Sequence, residues 1–157
     1  MATRLPLQSG RFLIEMGTLA VANFQECSGL ATEVEVLEVI EGGHNEFVHK
    51  LPGRIKYPNI VLKRGVTDNR QFADWRPIAN GQQIIMERQN LSIILFDNGG
   101  KQLRRWDVTG AYPVKWTGPD MKATSMEIAI ETLELAHQGW REEWPGGAAG
   151  ASIAAAN

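Results

Sequence analysis

The sequence predicts an all-β fold, or a β-dominated fold with one flanking helix, built as a small antiparallel barrel or as two packed sheets. Three observations predict it. Apolar side chains recur mostly at every second residue, which is the period of a half-buried strand. Glycine and proline, at 16 and 7 of 157 residues, are frequent enough to mark many turns. A chain of this length also has the size of a single domain.

Two strands are predicted near the N-terminus. The first is indicated by the alternation of Phe12, Ile14 and Met16. The second spans residues 30–40, where glutamates alternate with β-branched residues. Within it the apolar phase moves from Val34 and Val36 to Leu37 and Val39. Such a slip predicts a β-bulge or a bend.

The centre of the chain predicts a hairpin. Residues 91–96 are apolar on both faces, which is typical of a strand covered on both sides. Asp-Asn-Gly-Gly follows at positions 97–100, and these residues tolerate the positive φ of tight hairpin turns. One face of the returning strand is expected to carry Trp106, Val108, Tyr112, Val114 and Trp116.

A last strand is predicted over residues 127–137. Its apolar residues change phase, from Ile128 and Ile130 to Leu133 and Leu135, which predicts a second slip.

One helix is predicted between residues 68 and 81. Asp68 is a suitable N-cap, and Gln71 follows three residues later, as in a capping box. Phe72 and Trp75 recur at helical spacing, so we expect them to pack the helix against the sheet. Pro77 removes a backbone hydrogen bond, which predicts a kink or a frayed end.

Two segments fall outside the strand pattern. Residues 42–59 are polar and rich in turn signals, and they predict a long projecting loop. Residues 145–157 carry no charge and almost no bulky side chain, and they predict a flexible low-complexity tail. We therefore expect one β domain over residues 1–144.

No catalytic or metal site is predicted. His44 and His49 are near each other in sequence, but a metal would need further ligands, for which only Glu41, Glu46 and the distant His137 are candidates. The sequence has no nucleophile-elbow serine and no glycine motif for nucleotide phosphates. We expect a non-enzymatic protein with no cofactor.

Composition argues against several further classes of protein. Cys27 is the only cysteine, which excludes an intramolecular disulfide, and the adjacent Glu26 works against a reactive thiolate. A formal net charge of −2 gives no overall basic field for nucleic acid. The longest apolar run, residues 93–96, is too short for a signal peptide or a membrane span. We expect synthesis in the cytoplasm without a signal peptide, and no direct membrane insertion.

Charges are sorted by sign along one stretch of the chain. Residues 26–46 contain acids but no lysine or arginine, whereas residues 49–64 contain bases but no acid. The simplest interpretation is two solvated faces. A second is head-to-tail self-association, in which the basic segment of one copy meets the acidic strand of the next. Nucleic-acid binding by the basic segment is a third.

Three stretches of the sequence resemble one protein family. They are FQECSGLATEVEVLEVIEGG at residues 24–43, HKLPGRIKYPNIVLKRGVTDNRQFADW at residues 49–75 and RRWDVTGAYPVKWTGPDMKATSMEIAIETLELAHQG at residues 104–139. All three are similar to the inner tube proteins of contractile phage tails and of phage-tail-like bacterial injection particles. The similarity extends over roughly residues 10–140.

The resemblance implies a structural subunit with the fold predicted above. Six copies would form a ring, and rings would stack helically into a hollow tube. A sheath protein would surround the tube, and baseplate proteins would initiate it. Sheath contraction would drive the tube through a target envelope with DNA or a protein toxin in its lumen. The chain would then be found in an assembled particle or a virion tail; the resemblance does not distinguish the two.

The projecting loop is the expected contact to the next ring. Its candidate contact residues are His49, Lys50, Leu51, Pro52, Arg54, Lys56 and Tyr57. Their candidate acidic partners are Glu33, Glu35 and Glu38. Exposed ion pairs contribute only about 0–1 kcal/mol each, so we expect charge to set the register and apolar burial to supply the stability.

A soluble β-barrel that binds a ligand or a protein is the alternative function. Trp106 and Trp116 would then form a ligand platform on one face. Because they share the predicted face with Val108 and Val114, core packing is the expected role of both tryptophans.

Overall fold

The computed structural model of the chain describes residues 11–17, 19–21, 24–40, 42–43, 47–66, 75, 88–124 and 126–145. This part of the chain is dominated by antiparallel strands, which confirms the predicted fold class. In chain order the strands are β1 (Arg11–Met16), β2 (Leu19–Val21), β3 (Glu26–Ser28), β4 (Glu33–Val39), β5 (His49–Lys56), β6 (Ile60–Gly65), β7 (Gln89–Phe96), β8 (Gln102–Thr117), β9 (Ile130–Ala136) and β10 (Trp140–Glu143).

Eight of these strands form one continuous sheet. Their order is β2-β1-β7-β8-β9-β6-β3, and β10 also pairs with β8. The longest strand is β8, with 16 residues. Its first part lies between β7 and β10, and its second part pairs with β9. It therefore joins two half-sheets, which share one hydrophobic core.

The core is filled from both half-sheets. Its buried side chains include Ile14, Leu91, Ile93 and Val108 from the first half-sheet and Ile60, Leu62, Leu133 and Leu135 from the second. Burying a side chain of this size stabilises the fold by about 1.5–3 kcal/mol. The predicted alternation of β1 is confirmed, because its buried residues are Ile14 and Met16.

The predicted hairpin between β7 and β8 is confirmed. The Asp97 N–H donates to the Lys101 carbonyl at 2.9 Å, and the Lys101 N–H donates to Asp97 Oδ1 at 2.8 Å. Gly100 has a φ of 81°, a conformation that favours glycine. The turn residues therefore act as their sequence predicted.

The predicted common face of β8 is wrong for Tyr112 and Val114. The residues that point inward are Val108, Ala111 and Pro113, so the inward positions move by one residue between the first two. Tyr112 and Val114 consequently lie on the other face.

Two irregularities in β8 explain this pattern. At the first, Gly110 has a φ of 61°, its N–H donates to Asn90 Oδ1 at 2.9 Å, and the register with β7 shifts. A second register shift, against β9, lies between Pro113 and Lys115. The second shift reverses the first, so Trp116 again points to the core side. Alternation alone cannot reveal two bulges that cancel.

The change of apolar phase predicted in the last strand is confirmed, but the backbone slip predicted from it is wrong. β6 and β9 pair without irregularity along their whole shared length. Leu133 and Leu135 therefore point inward and Ile130 outward, as in any regular strand. Ile128 and Ile130 are exposed apolar residues, at 70% and 44%.

The predicted helix and tail lie almost entirely outside the described residues. From residues 68–81 only Trp75 is described; it is helical, half-buried and packed against the core. Phe72 lies outside, so its role in helix packing stays a prediction. Residues 146–157 are also outside, and the domain boundary and the tail stay predictions.

Gly29 offers a test of the chain path after β3. Its φ is 89°, and a Cβ there would lie 2.0 Å from the Asn59 carbonyl oxygen, which is backbone and cannot rotate away. Gly100 has a similar φ of 81° with nothing within 4 Å of such a Cβ. We expect Gly100→Ala to lower the free energy of unfolding by about 1–2 kcal/mol, from backbone strain alone. Gly29→Ala should lower it by more in urea titrations. Equal losses would contradict the close approach at Gly29.

Candidate assembly interface

β4 and β5 form a separate two-stranded antiparallel sheet, here called the ribbon. Within the described residues neither strand pairs with the main sheet. Every residue of β4 is exposed, and so is every residue of β5 except Gly53. Two strands alone are at best marginally stable in water, so an exposed ribbon depends on other contacts.

The predicted projecting loop is therefore wrong as a loop. Of residues 42–59, those from His49 to Lys56 form β5, which pairs with β4. The sequence misled because a strand exposed on both faces needs no apolar alternation. Pro52, which cannot donate a ladder hydrogen bond, is tolerated since β5 has β4 on one side only among the described residues.

The bulge predicted within residues 30–40 is wrong for that strand, because the register of the ribbon places the irregularity in β5. Val34 pairs with Ile55 and Val36 with Pro52, so the shift falls between those two pairs. The extra residue is in β5, opposite Glu35. Because β4 itself keeps its alternation, each face of the ribbon receives its own apolar residues.

Each face of the ribbon carries apolar side chains and one set of opposite charges. By the register, one face holds Val34, Val36, Glu38, Lys50, Pro52 and Ile55. The other face holds Glu33, Glu35, Leu37, Val39, His49, Leu51 and Lys56. The large apolar residues among these are 41–58% exposed. Contiguous exposed apolar surface of this kind marks a site of protein association.

The acidic and basic residues that were predicted to pair between copies lie opposite each other within the ribbon of one copy. Glu33 is opposite Lys56 and Glu38 is opposite Lys50. Lys56 Nζ also lies 3.8 Å from Glu35 Oε2. Arg54 lies at the bulge and has no ion pair with a described residue. The predicted pairing between copies stays a prediction, since the structure contains one chain.

The root of the ribbon is the end where β4 begins and β5 ends, and His137 anchors its β5 side. The Gly139 N–H donates to His137 Nδ1 at 3.1 Å, so Nε2 carries the proton and donates to the Pro58 carbonyl at 2.9 Å. The Tyr57 ring lies 5.8 Å from the His137 ring and packs closely on Gly139. Tyr57 therefore belongs to the root of the ribbon and not to its projecting part.

The β4 side of the same root is held by the first residue of β10. Trp140 Nε1 donates to the Ala31 carbonyl at 3.4 Å, just before β4 begins. Asn59 Nδ2 donates to Glu134 Oε1 at 2.7 Å on the other side. Both strands of the ribbon are thus fixed at this one end to β9, β10 and their connection, although these residues are far apart in sequence.

The other candidate residues do not come together as a site. Trp106 and Trp116 are ten positions apart on β8, about 30 Å at 3.3 Å per residue, so they form no shared platform. Trp106 packs against the core, and Trp116 Nε1 donates to Glu131 Oε2 at 3.2 Å. Burial raises the pKa of the Cys27 thiol to about 11, which opposes thiolate formation. The sequence predicted the direction of this pKa shift correctly but attributed the shift to the neighbouring Glu26.

Among the described residues, no cluster of His, Cys, Asp and Glu side chains could hold a metal ion. His44, Glu41 and Glu46 lie outside those residues. In the same part of the chain, no helix is long and apolar enough to cross a membrane.

Comparison with known proteins gives one family and several similar structures. The family model of the T4-like virus tail tube protein gp19 matches residues 8–141. The anti-feeding prophage tube-terminating cap contains a chain 29% identical in sequence, with a TM-score of 0.80 over 92% of this chain and 95% of that one. The sheath–tube complex of the extracellular contractile injection system PVC contains one that is 28% identical, with a TM-score of 0.77 over 89% and 93%.

A more distant structure shares the fold alone. Hcp1 from Flavobacterium johnsoniae is 12% identical, with a TM-score of 0.53 over 87% of this chain and 97% of that one. No curated protein sequence matches the chain.

Proposed function

Because the chain belongs to the T4-like virus tail tube protein gp19 family, we propose that six copies close into a ring and that rings stack into a hollow tube. The chain is a structural subunit of the inner tube of a contractile tail or tail-like injection particle. The family is structural, and we propose on that ground that the chain carries no catalytic activity.

The exposed ribbon is the observation that supports assembly most directly. It has apolar side chains on both faces, and its own chain covers neither face within the described residues. Neighbouring copies would remove this surface from water, which is the main favourable term in most protein association. The main sheet supports assembly too, because its order ends at β2 and β3, whose outer edges can pair with a sibling.

The proposed partners follow from the similar structures. Those structures are a tube-terminating cap, a sheath–tube complex and a baseplate. We infer that the tube built from this chain likewise contacts a sheath protein along its length, and terminator and baseplate proteins at its two ends. Its place is then the assembled particle, and the lumen would carry DNA or a protein toxin as cargo.

Electron microscopy tests the proposed tube. The purified chain, alone or with the baseplate proteins that initiate its tube, should form stacked rings or rods. Class averages of end views should show sixfold symmetry around an open channel. A chain that stays monomeric under all these conditions and never enters particles would contradict the proposal.

The role of the ribbon charges gives a second prediction. Reversing the basic residues together, Lys50→Glu, Arg54→Glu and Lys56→Glu, should block ring stacking and leave the main sheet folded. Like charges would then face each other across the ribbon at Glu33 and Glu38, and cross-strand like charges are destabilising. Rod length in micrographs reports stacking, and circular dichroism reports the fold.

A matched control replaces three exposed basic residues outside the ribbon by glutamate: Arg11, Lys101 and Lys115. It should form rods of normal length. Adding Glu33→Lys, Glu35→Lys and Glu38→Lys to the ribbon variant restores opposite charges across the ribbon and should restore rods. Normal rods from the triple variant itself would refute a role of these charges in assembly.

A further inference from the structure

A second group of exposed apolar side chains lies where the β8–β9 connection enters β9. Its members, here called the end patch, are Val66, Met126, Ile128 and Ile130, all at least 44% exposed. The Val66 N–H donates to the Ala129 carbonyl at 3.0 Å, which ties the connection to the end of β6. The tube function proposed above does not yet use this surface.

Gly65 leaves space for the end patch to lie close to the sheet. It pairs with Ile130, and a Cβ at Gly65 would lie 3.4 Å from Ile128 Cγ2. The absence of a side chain therefore leaves Ile128 room to lie across the sheet surface. The patch is a built surface at the end of two paired strands and not a set of scattered residues.

The ribbon and the end patch lie at opposite ends of β6. The ribbon enters β6 through residues 57–59, beside Ile60, whereas the end patch lies at Gly65. Five steps of about 3.3 Å place them about 16 Å apart along the strand. A subunit with matching surfaces at its two ends repeats head to tail, and such contacts build rings or filaments.

We propose that the ribbon of one copy docks an apolar face on the end patch of an adjacent copy. The proposal rests on the proposed tube function and specifies which two surfaces meet. A heterologous contact joins two different surfaces of the same chain. The ribbon and the end patch are such a pair, since both are apolar and both are exposed in a single copy.

The charges of the ribbon are compatible with burial in this contact. Glu33 faces Lys56 and Glu38 faces Lys50 across the same ribbon. Burying one member of an ion pair alone is costly, whereas these charges enter the contact with their partners beside them. Apolar contact can then supply the stability.

Site-specific photocrosslinking tests the docking in assembled tubes. The photoreactive residue p-benzoylphenylalanine replaces Ile128 in a chain that is co-assembled at one part in ten with unmodified chain, so that its bulk does not block assembly. Mass spectrometry should then locate crosslinks from position 128 to β4 or β5 of another copy. The matched control places the same residue at Lys101, in the exposed β7–β8 turn, and should give no crosslink to the ribbon.

Substitution provides an independent measurement. Ile128→Asp should lower the assembled fraction at least tenfold in sedimentation, and Lys101→Asp should leave it unchanged. Tubes that form but crosslink position 128 elsewhere, or not at all, would overturn the docking and leave the tube function intact. An unmodified chain that never forms tubes would overturn both.

Discussion

The structure depends on a ribbon whose apolar side chains the described part of the chain leaves exposed. β4 and β5 pair only with each other in the described part of the chain, and their apolar residues are exposed on both faces. Such a pair of strands lacks the third strand or covering helix that stability in water requires. The proposed tube would supply the missing contacts from copies of the same chain.

The main sheet supplies the rigid support that this arrangement needs. β8 joins the two half-sheets, and the β9–β10 connection pairs with it where its inward face changes. The same region holds both strands of the ribbon at its root, through His137 on the β5 side and Trp140 on the β4 side. A ribbon whose root is fixed loses less conformational freedom on docking, which favours association. The main sheet thus fixes the orientation of the ribbon.

Local sequence patterns predicted the fold class and the β7–β8 hairpin, because each depends on alternation or on turn residues close in sequence. They failed where a residue's environment is set by segments that are distant in sequence. β5 was predicted as a loop since it lacks a buried face. A slip was predicted in the last strand from its change of apolar phase, whereas the structure has a regular strand with Ile130 facing outward. The contacts of His137 with Pro58 and of Trp140 with Ala31 join distant segments, so no local pattern contains them. The function was predicted through resemblance, because the residues alone offered only sorted charges.

Hydrogen exchange of the ribbon amides, compared between the free subunit and the assembled tube, tests the central claim most directly. In the free subunit β4 and β5 should exchange quickly, because among the described residues these two strands pair only with each other. In the tube their exchange should slow by at least tenfold, while the amides of β7 in the core change little. A ribbon that exchanges equally fast in the tube would show that neighbouring copies do not cover it, and would contradict the account.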